Sequence, residues 1–257
     1  MQYSHWIDSH CHLDFSDFEQ DLETLIDACF AEGVKGFLVP GTERRTWNKV
    51  ITLSHHYDAI RYALGIHPYF LDNAKEEDLS CLSSSIDERT VAVGEIGLDA
   101  WQGMPSMERQ LFYFRHQLQI AKDHGLPVIL HTRKADDLVL KTLREVDFKN
   151  GGVVHAFNGS LQQAQRYLQL GFKIGIGGTI TYPRAQKART VAAALPNDSF
   201  VLETDSPDMP ILGYQGQRNT PLQLLCIADV LRQLRQQEMN AIMQHSTHNL
   251  INVLPRW

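Results

Sequence analysis

The sequence has no long apolar run and no leader-like start. A membrane span would need about 18 or more consecutive apolar residues, and the 257 residues contain no such stretch. The first residues lack the basic segment and the apolar segment of a secretory signal. We therefore predict a cytoplasmic protein without membrane contact. The hydrophobic content of 43% excludes a disordered chain.

Cysteine and basic charge are also scarce. The chain has only four cysteines and no Cys-x-x-Cys pair, which argues against a disulfide framework or a thiolate zinc site. Lys and Arg number 24 against 30 acidic residues, giving a formal net charge of -6. The net charge therefore will not attract nucleic acid, so any such contact must come from a local basic patch.

The sequence does contain a regular alternation of short apolar runs with longer stretches of helical periodicity. This alternation is typical of βαβ units and a parallel sheet. Eight such runs predict eight strands, and hence a single domain, residues 1–257, of the α/β class folded as a (β/α)8 TIM barrel. The runs are 6–10, 34–39, 61–64, 91–95, 127–131, 152–155, 172–176 and 200–204.

Capping residues mark some of the intervening helices. Ser160 is a predicted N-cap, and Thr220 is expected to cap the helix that Pro221 begins. An extra C-terminal helix over 240–254 is predicted to follow the barrel.

Histidines and carboxylates stand at the carboxyl ends of the predicted strands, where barrel enzymes hold their active sites. Alternation along a strand would point His10 and His12 the same way and Cys11 the opposite way, against a helix. A lone histidine at a strand end is commonly only hydrogen-bonded. Histidines and carboxylates that recur at several strand ends instead predict a divalent metal site. The candidate ligands are His10, His12, Glu95, His131, His155 and Asp205.

The segments that carry these residues resemble the TatD family of metal-dependent deoxyribonucleases and hydrolases. The resemblance extends over essentially the whole chain and implies a TIM barrel that binds two divalent metal ions, with a third left open. The matching segments are 7–14 (IDSHCHLD), 65–68 (GIHP), 94–99 (GEIGLD), 127–131 (PVILH), 155–159 (HAFNG) and 203–207 (ETDSP).

The resemblance also implies roles for the candidate ligands. Glu95 and Asp205 become the catalytic residues, with Asp205 orienting a metal-activated water and accepting its proton. Two cations can stabilise both the attacking and the leaving oxygen of a phosphoryl displacement. Four imidazoles suit zinc, manganese or nickel better than magnesium. The implied sets are His10, His12 and Asp205 on one metal, His131 and His155 on the other, and Glu95 as the bridge.

Basic and aromatic residues follow several predicted strands at the same end as the metal ligands. Arg133 and Arg218 are predicted to contact phosphate. The loop aromatics are candidates for stacking on bases, and they are Tyr69, Phe70, Trp101, Phe157, Tyr182 and Tyr214. His67 either contacts a phosphate or an additional metal, or shapes the cavity wall, and Glu203 is expected to support a ligand. We predict a monomeric deoxyribonuclease with DNA as its substrate, acting at 3′ ends or damaged sites and without an obligate protein partner.

Two alternatives stay open. A barrel amidohydrolase cleaving a C–N or ester bond of a small molecule would share the His-x-His start, although many such enzymes bridge their metals with a modified lysine where Glu95 stands. An inert metal barrel acting as a binding module would not need Asp205 as a base. The family's usual Arg-Asn-Glu-Pro motif reads Arg218-Asn219-Thr220-Pro221 here. This difference leaves the orientation of Arg218 and the substrate preference open.

Overall fold

Eight parallel strands form one sheet in which each strand is hydrogen-bonded to the next along the chain. The computed structural model describes residues 3–257. The eight-strand prediction and the TIM-barrel fold are confirmed. The strands are β1 (Trp6–Asp8), β2 (Val34–Gly41), β3 (Ile60–Leu64), β4 (Thr90–Asp99), β5 (Val128–Arg133), β6 (Gly152–Val154), β7 (Phe172–Ile176) and β8 (Phe200–Leu202).

Helices alternate with these strands and cover the outside of the barrel. Within the described residues, no helix is both long and apolar enough to span a bilayer. The helices are α1 (Leu22–Ala31), α2 (Arg44–His56), α3 (Glu77–Ser85), α4 (Met107–Asp123), α5 (Asp136–Glu145), α6 (Leu161–Gln169), α7 (Gln186–Ala194), α8 (Leu224–Arg235) and α9 (Met239–Val253).

The extra C-terminal helix predicted from the sequence is α9, and it closes the amino-terminal end of the barrel. Its residues Leu250 and Val253 pack with inward-facing strand residues such as Leu38 and Ile129. Strand residues two positions apart face the same side, so alternate residues fill the barrel and the others pack against the outer helices. With one end sealed by α9, the carboxyl ends of the strands are left as the open face.

The predicted helix starts are confirmed in one case and wrong in another. The Ser160 hydroxyl accepts a hydrogen bond from the Gln163 backbone N–H and forms a capping box for α6. Thr220 makes no side-chain cap, and a short 3-10 turn separates it from α8. The Thr220 N–H instead donates to the side chain of Asn219 at 3.0 Å.

Candidate metal centre

His10 and His12 lie side by side at the open end of the barrel, although not for the reason that the sequence suggested. The prediction of a strand through His10 is wrong, because β1 ends at Asp8 and both histidines lie in the following loop. Their Nε2 atoms are nevertheless 3.3 Å apart, and both side chains are buried. Cys11 between them is fully buried in the outer hydrophobic core, as expected.

Asp205 and Glu95 bring carboxylate oxygens to this pair. Asp205 Oδ1 lies 3.6 Å from Nε2 of both His10 and His12. Glu95 Oε2 lies 3.2 Å from His10 Nε2. Ligand atoms about 2.1 Å from a tetrahedral cation are about 3.4 Å from one another, so these spacings fit a single divalent ion. His10, His12 and Asp205 form a donor group whose atoms lie within 4.8 Å of one another.

The second oxygen of Glu95 faces a different pair of histidines. Glu95 Oε1 is 3.0 Å from His131 Nδ1 and 3.4 Å from His67 Nε2. These three residues form a second close donor group. One carboxylate therefore touches both histidine groups, which is the position that a bridging ligand needs.

His155 lies on the other side of His10. The two rings stack with centroids 3.6 Å apart, and His155 Nε2 is 3.5 Å from Asp205 Oδ1. The close donor groups place His155 with His10 and Glu203, and His131 with His67 and Glu95. His131 and His155, which the resemblance assigns to one metal, thus belong to different close donor groups.

Two further carboxylates support the outer nitrogens of these histidines. Asp99 Oδ2 is 3.0 Å from His131 Nε2, and Glu203 Oε1 is 3.1 Å from His155 Nδ1. Such carboxylate partners fix the tautomer and ring orientation of a metal-binding histidine. Glu203 was expected to support a ligand, whereas Asp99 was not among the predicted site residues. An even spacing along β4 was the available signal, because it puts Asp99 on the same strand face as Glu95.

Asp99→Asn should weaken cation binding without unfolding the barrel. An amide can still contact His131 Nε2, but it carries no charge to hold the imidazole in its metal-binding form. We expect a loss in metal affinity of roughly tenfold or more. Competition with a chromophoric chelator measures it. Asp123→Asn, on the exposed end of α4, is the matched control and should bind metal like the wild type.

Charge in the site favours cations. Burial opposes ionisation of Glu95, yet the neighbouring His67 and His10 hold the pKa of this carboxyl well below its ordinary value. Burial likewise opposes ionisation of Asp205, but the charge and hydrogen bond of His155 lower its pKa. Both groups are carboxylates at neutral pH. Despite burial, Glu203 and Asp205 raise the pKa of His155 well above its usual range, so this position attracts positive charge.

The histidine and carboxylate cluster opens into a cavity of about 1350 Å³. Basic residues on its wall include Arg133, Lys134 and Lys187. The Arg133 guanidinium carbon lies 3.9 Å from the Trp101 ring centre, and Lys134 Nζ lies 4.1 Å from it. His67 also lines the cavity, which is compatible with either of its expected roles.

Arg218 is placed differently from its expected position. It is not among the cavity-lining residues, and its guanidinium makes two hydrogen bonds to the Asp21 carboxylate at 2.8 and 2.6 Å. The guanidinium carbon also lies 4.9 Å from the Phe18 ring centre. The Arg218 side chain therefore links the segment after β8 to the segment between β1 and α1.

Comparison with known proteins agrees with this geometry. The family model described as TatD related DNase matches residues 7–255. The chain is 45% identical over 254 residues to the uncharacterized metal-dependent hydrolase YjjV of Escherichia coli K12, covering 96% of this chain and 98% of YjjV. It is 36% identical to an uncharacterized metal-dependent hydrolase of Haemophilus influenzae, covering 97% and 99% of the two chains.

Solved structures show the same similarity in three dimensions. The crystal structure of Escherichia coli YjjV superimposes with a TM-score of 0.95 at 44% identity, covering 98% of each chain. A TatD-family hydrolase from Entamoeba histolytica shares the fold, with a TM-score of 0.87 at 20% identity over the whole of both chains. The chain therefore belongs to the TatD family of metal-dependent hydrolases.

Proposed function

We propose that this protein is a deoxyribonuclease that hydrolyses phosphodiester bonds with two divalent cations. The observation that carries the proposal is the position of Glu95, whose two oxygens contact separate histidine groups on the floor of a cavity with a basic wall. Zinc, manganese and nickel suit this donor set better than magnesium, because imidazole nitrogens outnumber oxygens in it. We also propose that the protein is a cytoplasmic monomer and needs no protein partner.

The proposed ligands follow from the close donor groups. His10, His12 and Asp205 would hold one cation, together with Glu95 Oε2. His131 would hold the other on the Glu95 Oε1 side. His155 is the further ligand that family resemblance implies, and His67 lies near the same Glu95 oxygen. When bound, such cations supply charge for the phosphoryl oxygens and lower the pKa of a bound water.

Asp205 is the residue that we assign to proton transfer. It lies at the boundary between the buried histidines and the cavity, with 14% of its side chain exposed. Its lowered pKa keeps the carboxylate ionised at neutral pH, so it can orient a water through a hydrogen bond. Acceptance of a proton from that water is the role that we assign to it. Asp205 has a positive backbone φ of 57°, in the left-handed region. Residues with this backbone geometry are common at functional sites.

The cavity wall supports a nucleic-acid substrate. Arg133 and Lys134 supply positive charge beside the aromatic face of Trp101, a combination suited to a phosphate next to an unstacked base. Most of the proposed ligands are buried on the cavity floor, while Asp205 and His131 keep 14% and 18% of their side chains exposed. A strand end or a nucleotide flipped out of the helix can enter such a cavity, which supports action at 3′ ends or damaged sites.

Arg133→Ala tests the phosphate wall. The substitution removes one charged hydrogen bond from the binding of phosphate. We therefore expect KM for a short single-stranded oligonucleotide to rise about tenfold, with kcat little changed. The salt dependence of kcat/KM should also become shallower. Arg144→Ala, on α5 and outside the cavity, is the matched control and should leave both constants unchanged.

Two outcomes would redirect the proposal. Cleavage that survives Arg133→Ala but is lost in Arg218→Ala would move the phosphate contact to the segment after β8. A fully metal-loaded enzyme that leaves oligonucleotides intact but turns over amides or lactones would replace the nuclease with a small-molecule hydrolase.

A further inference from the structure

The barrel has a seam between its last and first strands. The described residues show no strand ladder between β8 and β1, whereas every other neighbouring pair has one. Hydrogen bonds just beyond the strands join the two sides instead. Ser9 N–H donates to Leu202 O at 3.0 Å, Asp205 N–H to His10 O at 2.9 Å, and His12 N–H to Ser206 O at 2.7 Å.

A buried pair, Asp8 and Thr204, fastens this seam at its centre. The Thr204 hydroxyl donates to Asp8 Oδ2 at 2.6 Å, and the Thr204 N–H donates to Asp8 Oδ1 at 3.0 Å. The same Asp8 oxygen accepts the His10 N–H at 3.2 Å. Asp8 therefore binds the backbone of both sides of the seam through one carboxyl group. We call these two residues the Asp8–Thr204 latch.

Thr204 is held from its other side as well. Asn219 Nδ2 donates to the Thr204 carbonyl at 2.9 Å, and the Ser206 N–H donates to the Thr204 hydroxyl at 3.2 Å. Thr204, Ser206 and Asn219 are all fully buried. The residue that precedes Asp205 thus has little freedom to move, as long as its contact with Asp8 persists.

The seam also divides the first donor group. His10 and His12 lie on the β1 side, and Asp205 lies on the β8 side. A shift across the seam would directly change the 3.6 Å spacing between Asp205 Oδ1 and the two histidine nitrogens. Elsewhere in the barrel, a strand ladder would resist such a shift.

We propose that the Asp8–Thr204 latch is the positioning device of the first cation site, and that a cation bound there reinforces the same seam. The latch contacts neither cation nor substrate and acts through His10 and Asp205. This inference rests on the cation site proposed above. If the inference is correct, metal affinity depends on the Thr204 hydroxyl, which does not itself bind metal.

The matched variants are Thr204→Val, which removes the hydroxyl at nearly constant volume, and Thr204→Ser, which keeps it. Thr90→Val is the control, because the buried Thr90 hydroxyl also donates to an aspartate, Asp87, but at the beginning of β4 and remote from the site. Zinc affinity is measured by chelator competition. We expect Thr204→Val to weaken zinc binding roughly tenfold or more, and the other two variants to stay within about twofold of wild type.

Equal zinc affinity in Thr204→Val and wild type would overturn the inference, as would an equal loss in Thr90→Val. Hydrogen exchange on the wild-type protein gives a second test that needs no variant. Zinc should slow exchange of the seam amides of His12 and Asp205 and leave the amides of the β2–β3 pair, which contains no proposed zinc ligand, unchanged. Unchanged seam exchange in a zinc-loaded protein would contradict the coupling. A wild type that binds no zinc would instead refute the proposed function.

Discussion

Asp205→Asn should lower kcat for phosphodiester hydrolysis by about 10³-fold or more, since removal of a catalytic base alone costs about 10² to 10⁴. The variant also replaces a charged oxygen near His10, His12 and His155 with a neutral one, so metal affinity should fall as well. The barrel should remain folded, because the backbone hydrogen bond from Asp205 N–H to His10 O does not involve the side chain. Single-turnover cleavage at saturating metal separates the chemical step from metal binding.

Asp208→Asn is the matched control for this experiment. Asp208 also lines the cavity, but it belongs to none of the close donor groups. Its kcat should stay within a few-fold of wild type. If Asp205→Asn retained wild-type kcat at saturating metal, Asp205 would not be the base and the assigned mechanism would be wrong.

Glu95→Gln should reduce the metal content as well as the rate. The carboxylate oxygens lie 3.2 Å from His10 Nε2 and 3.0 Å from His131 Nδ1, so one substitution affects both proposed cation positions. An amide offers one oxygen ligand and no negative charge. We expect the bound metal to fall from about two ions per chain to one or fewer, and hydrolysis to be nearly abolished. Elemental analysis after gel filtration measures the stoichiometry.

Glu43→Gln provides the comparison. Glu43 follows β2 at the same end of the barrel, but its carboxylate pairs with Arg45 beside the beginning of α2. The Glu43→Gln variant should keep the wild-type metal content and rate of hydrolysis. Two ions per chain in Glu95→Gln would show that Glu95 does not bridge.

Much of the fold was predictable because its strands and helices have different apolar periodicities. The apolar runs of β2, β5 and β7 are buried on both faces, so they stand out from the helical stretches between them. Candidate ligands were predictable for a related reason. In a parallel barrel, residues after different strands meet at one end, however far apart they lie in the chain.

The errors arose where tertiary contacts override local patterns. Alternation suggested a strand through His10, but the backbone there turns across the seam to pair with Asp205. Thr220 looks like an N-cap, yet the Asn219 side chain accepts its N–H. Arg218 follows a strand like the other basic residues, but Asp21, almost 200 positions earlier, binds it. Such partners are distant in sequence and leave no local signal.

Cleavage of end-labelled single-stranded DNA is the most direct test of the central claim that this metal centre hydrolyses phosphodiester bonds. The purified enzyme is stripped, reconstituted separately with zinc, manganese or magnesium, analysed for bound metal, and compared with Asp205→Asn. We predict shortening of the DNA that depends on bound metal, is stronger with zinc or manganese than with magnesium, and is lost in the variant. Intact DNA in the presence of enzyme that holds about two ions per chain would contradict the account.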